Sequence, residues 1–344
     1  MMRSGAGFTV LELLVAVTVF LISTAAVWGL LAVGRADRST TSERVGIMQT
    51  VRASLNLIKR DGLDTGFGYP GAGVQLPTGA LTTLLGIPAD GVAGRDVLTP
   101  VVSGHLVNPT NLNTDPRMPN SDQVTFTAVD YQFNGGQAAP ISTITSSQVT
   151  LSSGTIASLG CQAGDIYLVK GNSSSAIVMM TGSSGTQTLL FGADPLNINQ
   201  TSGSNGKLQN VTVPATLTRI KLTTYRLFKD GTLVRTVYNN IGGSQDQPIA
   251  YNITGVITNS GAPNVTGLQV QYIMRDGTYT FDPVAGPDNV TGDGDDTPPS
   301  LQNVRQIQVT IGGQSTAVDP RNNQPYKTTM STTFDARNIG YDAQ

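Results

Sequence analysis

The chain has 344 residues, of which 13% are charged, and its 23 acidic and 21 basic side chains leave a formal net charge of −2. Such a balance gives no support to general nucleic-acid binding, which normally uses a basic patch or a basic domain. The chain has one histidine and one cysteine, and its sequence gives no Ser/His/Asp arrangement, Cys/His pair or zinc ligand set to argue for, so we predict that the protein is not an enzyme.

The N-terminal segment joins a short polar leader, Met1 to Gly7, to an apolar run from Phe8 to Val33 whose only charge is Glu12. The run has 26 residues, which as a helix is about 39 Å long and enough for a tilted membrane span. A secretory signal peptide carries its small-residue cleavage site after the apolar core. Here the small residue, Gly7, precedes the core, so cleavage after it leaves Phe8 as the first residue and Glu12 as the fifth.

This junction resembles the type IV pilin superfamily, whose precursors combine a short basic leader, a glycine before the cut, an aromatic first residue and a glutamate at the fifth mature position. The resemblance implies that a membrane-bound prepilin peptidase cleaves after Gly7 and N-methylates Phe8. Arg3 gives the leader its positive charge, which the positive-inside rule keeps on the cytoplasmic side.

Glu12 is the one ionisable group in the predicted span, where a charged side chain costs about 2.5–3.5 kcal/mol on insertion scales. The resemblance implies a partner for it: the amine of Phe8 of a neighbouring subunit, so that Glu12 sets the register of a helical filament. The alternative is a carboxylate that only reaches back to the cytoplasmic headgroups.

The sequence after the span predicts that the same helix continues to Asp61. Between Ala36 and Arg60 apolar residues recur at spacings of three and four, which is typical of a helix with one buried stripe. Gly62 is a good C-terminal stop. The stripe consists of Val45, Met48, Val51, Leu55 and Ile58.

Three parts follow from this division: a leader at 1–7, a transmembrane and stalk helix at 8–61, and an extracytoplasmic β-rich head at 62–344. The predicted fold class is α+β, a long N-terminal helix followed by a β-rich, pilin-type head.

Short alternating segments in the head predict strands separated by Gly/Ser/Asn turns. The clearest hairpin joins Leu222–Phe228 to Leu233–Tyr238, because Asp230-Gly231 tolerates the positive φ of a tight turn. We assign no structure to about 69–120 and 278–301, which are rich in Pro, Gly and Asp. The other predicted strands are 124–128, 166–169, 176–180, 189–191, 249–257, 268–274, 304–311 and 328–334.

The remaining candidate site residues are a cysteine, a histidine and a group of acids. Cys161 has no disulfide partner within the chain and is expected to be a small buried apolar residue, and His105 stands alone. No resident cofactor is predicted. A Gly-rich acidic loop could supply oxygen ligands to calcium, but it lacks the EF-hand pattern and its closing glutamate, so solvated loop carboxylates are the favoured interpretation. Its acids are Asp288, Asp293, Asp295 and Asp296.

Four segments in order along the chain resemble the PilW-like minor pilins and the J-position pseudopilin of type II secretion. The first is a basic-acidic step that leads into a Gly-aromatic segment, and the second is a Tyr-Arg hairpin. The third is a Pro-containing link into a strand that ends in Gln-Val-X-Tyr, and the fourth is a strand that contains an arginine. The middle region, about 70–215, has no counterpart in this resemblance. The matching segments are Leu57–Asp61 with Gly66–Tyr69, Thr224–Arg235, Gln247–Ala250 with Val265–Tyr272, and Val304–Val309.

The sequence thus predicts a minor type IV pilin that helps to initiate or cap pilus assembly. The resemblance implies three kinds of partner: the prepilin peptidase, the major and other minor pilins, and the inner-membrane assembly platform. It also implies a single-pass inner-membrane precursor that later reaches the cell surface. Alternatives are a J-like type II secretion pseudopilin, a tip adhesin or DNA-uptake pilin, and a membrane-anchored β protein with an uncleaved leader.

Overall fold

The computed structural model describes residues 9–77, 79–86, 96–107, 115–199, 208–238, 244–258, 264–281, 304–319, 323–336 and 338–339. One long helix, α1 (Val10–Leu63), begins the described chain and is about 81 Å long at roughly 1.5 Å per residue. β-Sheets make up most of the rest, so the predicted α+β class is confirmed.

In the described part of the head there are a second α-helix, α2 (Ala80–Leu85), and two 3₁₀ helices, Phe133–Gly136 and Leu208–Asn210. Its strands are β1 (Val74–Gln75), β2 (Val97–Leu98), β3 (Val101–Val107), β4 (Ser121–Val129), β5 (Ala139–Ile144), β6 (Gln148–Leu151), β7 (Ile166–Lys170), β8 (Ser175–Met179), β9 (Gly182–Ser184), β10 (Thr188–Leu190), β11 (Ala215–Leu227), β12 (Leu233–Tyr238), β13 (Ser244–Ala250), β14 (Val256–Ile257), β15 (Val265–Thr266), β16 (Leu268–Met274), β17 (Tyr279–Thr280), β18 (Val304–Asp319) and β19 (Gln324–Asp335).

The central sheet is organised around β11. The C-terminal half of β11 lies between β12 and β4, with Leu222 opposite Tyr238 on one side and opposite Thr127 on the other. Its N-terminal half pairs with β5 and β7. One long strand therefore connects β4 and β12 to strands built from the middle of the chain.

A second sheet of four strands, in the order β17-β16-β18-β19, lies against the outer half of α1. Val51, Leu55 and Ile58 of the helix are buried with the apolar side chains of β16 and β18. Burying each such side chain contributes about 1.5–3 kcal/mol, so this stripe holds the helix to the head. The close approach depends on Gly313, because a Cβ there would lie 2.7 Å from the Ile47 side chain.

The predicted stripe differs from the observed one at its N-terminal end. Val45 is 42% exposed, whereas Ile47, which was not predicted, packs against the core. The helix also continues to Leu63 rather than stopping at Gly62. Gly62 has a different role, since any side chain at this position would collide with the ring of Phe334.

The predicted hairpin is present, with Gly231 at a φ of +79° in its turn. The predicted strand at 249–257 is wrong as one element: β13 ends at Ala250, and Asn252 turns the chain with a φ of +62°. The predicted strand at 304–311 continues to Asp319.

The region left unassigned at 69–120 contains ordered structure, including α2 and the seven-residue strand β3. Tyr69, Leu76 and Leu98 are buried against Ile166 and Ile177 of the β7–β8 hairpin. The other face of that hairpin packs in a separate core cluster made from the middle of the chain. Glycine and proline therefore mark turns here and not an absence of structure.

Candidate functional site

The N-terminal end of α1 carries a reciprocal cap between Thr9 and Glu12. The Glu12 backbone N–H donates to Thr9 Oγ1 at 3.3 Å, and Glu12 Oε2 accepts from the Thr9 backbone N–H at 3.0 Å and from Thr9 Oγ1 at 3.1 Å. A carboxylate in the first turn also interacts favourably with the positive end of the helix dipole. Gly7 and Phe8 lie outside the described residues, so the cap borders the predicted cleavage position without including it.

From Val10 to Val33 almost every residue of α1 is exposed, and the described head covers none of this stretch. A window of this helix has a mean hydropathy of 2.4, so by length and composition it is the one described helix that could cross a membrane. Thr18 and Thr24 donate their hydroxyls to the carbonyls of Leu14 and Phe20, at 2.7 and 2.8 Å. Both polar groups are thus satisfied inside the helix, and the outer surface is apolar.

A known N-terminal sequence motif covers the Thr9–Glu12 cap and most of the exposed apolar part of α1. Residues 2–28 match the prokaryotic N-terminal methylation motif. The motif supports a type IV pilin-like or pseudopilin-like subunit, and the proteins that carry this motif are structural subunits. It implies processing by prepilin peptidase and association with other pilins, and together with the apolar helix it fits a single-pass membrane-anchored precursor.

The methylation motif covers only the start of the chain, and the head lies beyond it. Searches of curated proteins and of solved structures found no match. The PilW-like resemblance of the head therefore stays a prediction, as do the roles of Gly7, Phe8 and Glu12.

The far end of α1 is fixed by a buried ionic network. Asp61 Oδ2 accepts hydrogen bonds from Tyr225 Oη and from Arg235 Nε, both at 2.7 Å. Arg235 Nη1 in turn donates to Gln247 Oε1 at 2.9 Å. Burial alone would raise the pKa of Asp61, but the hydrogen bonds from Arg235 and Tyr225, together with the positive charges of Arg235 and Lys221, lower the pKa below its ordinary value.

This network brings together three of the segments on which the PilW-like resemblance depends. Asp61 ends the first segment, Tyr225 and Arg235 belong to the Tyr-Arg hairpin, and Gln247 starts the Pro-containing link. The sequence shows these segments in order along the chain but does not predict that they meet. Their common location at the end of α1 gives each of them the same physical task, joining the stalk to the head.

The network borders a cleft of about 480 Å³ between the helix end and the central sheet. The lining carries acidic and basic groups, among them Asp64, Asp130 and Lys221. Asp130 already accepts a hydrogen bond from Arg219 at 2.8 Å. Because the lining carries both positive and negative groups, its charge does not indicate which class of ligand the cleft would bind.

The other predicted site residues serve the fold or lie outside the described chain. His105 Nδ1 lies 3.0 Å from Asp122 Oδ1, and Asp122 also accepts from the backbone N–H of Leu106 and Val270. Cys161 is buried, as predicted, and burial raises the pKa of its thiol. Among the described residues no group of three His, Cys, Asp or Glu could hold a metal. The acidic loop (Asp288, Asp293, Asp295 and Asp296) lies outside those residues.

Proposed function

We propose that the protein is a minor type IV pilin, a structural subunit that helps to initiate or cap the assembly of a pilus. One observation carries the proposal: the methylation motif at 2–28 lies on a helix whose apolar surface, from Val10 to Val33, is left bare by the head. In a lone soluble chain this apolar surface would be exposed to water, which is unfavourable. A membrane, and then a bundle of like helices, would cover it.

In the proposed pathway, prepilin peptidase cleaves after Gly7 and methylates the new N-terminus at Phe8. The processed helix remains in the inner membrane until the assembly platform moves it into a filament with the major and other minor pilins. Phe8 then carries a positive amine directly before Thr9, whose backbone N–H donates to Glu12. The Glu12 carboxylate is therefore already held at the end of the helix where the amine of a neighbouring subunit would be bound.

Two oxygens allow Glu12 to have both roles at once. Oε2 is used by the cap to Thr9, and Oε1 has no hydrogen bond within the described residues. A second acceptor can thus bind the Phe8 amine of a neighbour without breaking the cap. Because an unpaired charge is costly among apolar helices, this pairing favours one axial register of neighbouring subunits over others.

The size of the head supports a low-copy position at the tip or in the priming complex. The strands between β4 and β11 build a core cluster of their own, around Phe133, Tyr167 and Phe191, in addition to the core that holds the stalk. So large a head is difficult to repeat closely along a shaft.

The first experiment is mass spectrometry of the N-terminus, on protein recovered separately from sheared surface filaments and from membranes. N-methylated Phe8 in the sheared filaments is the expected result. Processed Phe8 found only in membranes would favour a type II secretion pseudopilin or a scarce basal initiator. An intact Met1 leader in both fractions would refute the proposal.

The role of Glu12 is tested with Glu12→Gln and Glu12→Ala, measured as the ratio of filament-bound to membrane-bound protein. Glutamine keeps the reciprocal cap but has no charge. If charge pairing sets the register, both variants are processed normally and both lose about tenfold or more in incorporation, which corresponds to roughly 1.4 kcal/mol. Normal incorporation of Glu12→Gln would limit the role of Glu12 to capping its own helix.

A further inference from the structure

Strand β19 is a long edge strand with an unusual composition. Among the described residues it pairs only with β18. Its membrane end carries Pro325 and Lys327, and the ladder is irregular between Gln314 and Val318. Proline, lysine and irregular pairing are the devices by which proteins prevent edge strands from pairing with other chains. From Thr328 to Phe334 the strand has no charge, no proline and no glycine.

The open backbone groups of β19 can be assigned from the ladder. Ala336 N–H donates to Arg305 O at 3.0 Å, and in an antiparallel pair such bonded positions recur at every second residue. The bonded positions are therefore Thr328, Met330, Thr332 and Phe334. The residues between them, Thr329, Ser331 and Thr333, direct their N–H and C=O groups away from β18.

Those outward groups have no hydrogen-bond partner within the part of the chain that the structure describes. Thr329, Ser331 and Thr333 are also exposed, with small hydroxyl side chains that leave the edge accessible. Three donors and three acceptors in a row form a template for one more strand.

Three other sheet edges among the described strands are closed by side chains or interrupted. The Val270 N–H at the outer edge of β16 donates to Asp122 Oδ2 at 2.8 Å. The edge of β8 is capped by Asn199, whose side-chain amide bonds both the N–H and the C=O of Met179. The edge strand β13 contains Asp246 and Pro248. The segment Thr328–Phe334 has neither kind of protection.

The direction of β19 is fixed relative to α1 by contacts at its two ends. Near its start, the Arg44 guanidinium lies 5.0 Å from the centre of the Tyr326 ring, and Arg44 also pairs with Asp319 at 2.7 Å. Near its end, Phe334 packs against Gly62. β19 therefore runs beside the helix in the same direction, away from the bare apolar segment.

This direction argues against pairing between two copies of β19. An antiparallel pair would point the two α1 helices in opposite directions, and both could not enter one membrane from the same side. A parallel pair would place the two helices on opposite faces of the joined sheet, where they could not contact each other. A strand from a different subunit is free of both restrictions. It can run antiparallel to β19, as the neighbouring pairs β16–β18 and β18–β19 do, while its own helix stays aligned with α1.

We infer that the outer edge of β19, at Thr329, Ser331 and Thr333, binds an antiparallel edge strand from the head of a different pilin-like subunit. The inference rests on the proposed function, because aligned helices in one membrane or filament are what bring the two heads side by side. Hydrogen bonds between main chains hold the strand, and the uncharged side chains of Thr328–Phe334 favour an uncharged, β-prone partner segment.

The test uses a photo-crosslinking amino acid at Thr329 or Thr333 of the full chain in its native cell, with the same label at exposed Ser184 in β9 as a control. Crosslinked peptides are sequenced by mass spectrometry. The expected product joins β19 to an edge strand of another chain that carries the N-terminal methylation motif. A crosslink to a second copy of β19, or no crosslink, would overturn the inference.

Ser331→Pro separates backbone pairing from simple proximity, because proline removes one outward N–H and leaves the inward ladder to β18 intact. We expect Ser331→Pro to lower the crosslinked fraction about tenfold and Ser331→Ala to leave it nearly unchanged. Thr329→Pro and Thr329→Ala, with the label at Thr333, repeat the comparison, and a melting curve confirms that each variant folds. Equal crosslinking by the proline and alanine variants would overturn the inference.

Failure of this inference can be told apart from failure of the proposed function. The N-terminus is analysed in the same samples. Processed Phe8 without a crosslink overturns the strand-pairing inference alone, whereas an intact leader overturns the proposed function as well.

Discussion

Neutralising Asp61 is expected to destabilise the junction between stalk and head at neutral pH. In Asp61→Asn, the Arg235 side chain, which is 11% exposed, loses its carboxylate partner. Removing one member of a buried pair costs about 3–5 kcal/mol, and we take about 3 kcal/mol because Arg235 keeps its bond to Gln247. At about 2 °C per kcal/mol for a large chain, the melting temperature should fall by roughly 6 °C.

The assay is thermal unfolding of the full chain in detergent, followed by near-ultraviolet circular dichroism of buried tyrosines such as Tyr225. Trp28 lies on the bare helix and reports nothing about the head. The pKa of Asp61 is lower in the folded state than in the unfolded chain, so its contribution is complete above about pH 4 and is lost as the pH falls through the folded value. The difference from wild type should be full at pH 7 and shrink below about pH 4.

Two variants serve as controls for this experiment. Asp276→Asn removes an exposed acid in a turn and should melt within about 1 °C of wild type. Asp61→Asn combined with Arg235→Met should recover part of the loss, because no unpaired charge remains. An Asp61→Asn protein as stable as wild type at pH 7, or a difference that persists unchanged at pH 3, would refute the reasoning.

Two further predictions concern packing and reactivity. Gly313→Ala places a methyl group against Ile47 and should lower the free energy of unfolding, measured in urea, by about 1–3 kcal/mol. Gly46→Ala lies on an open helix surface and should raise that free energy by about 0.5–1 kcal/mol. Equal effects would contradict the proposed close approach. Cys161 is buried and its thiol pKa is raised, so iodoacetamide should label it slowly at pH 8 in the native protein and rapidly in urea. Rapid native labelling would show that the thiol is accessible.

Local sequence patterns were sufficient to predict an element of structure where the physical cause of that element was also local. The run from Phe8 to Val33 predicts a helix because a helix satisfies the backbone of a single segment internally in an apolar environment. The hairpin at Asp230-Gly231 follows from the φ that glycine allows. The predicted alternation at 124–128 corresponds to the inner part of β4.

Prediction failed where contacts between distant residues decide the structure. Asp61 lies 164 and 174 residues from Tyr225 and Arg235, so no local spacing could join them into one network. Gly62 has the composition of a helix stop, but the requirement that acts on it is space for Phe334. β3 was missed in a glycine-rich and proline-rich region because its stability comes from pairing with β4.

The chain between β4 and β11 leaves one strand and enters the other at adjoining positions of the central sheet. Val129, the last residue of β4, is paired with Ile220 of β11, and the Asp130 N–H donates to Arg219 O at 2.9 Å. Chain inserted between two points already held together adds little closure entropy, about 0.6 kcal/mol for each doubling of its length. The β7–β8 hairpin must remain, because one of its faces covers the residues packed beneath it. The other strands between β4 and β11 can become longer or shorter, or be replaced, without any change in the stalk. One anchoring design could thus carry heads of very different size through evolution.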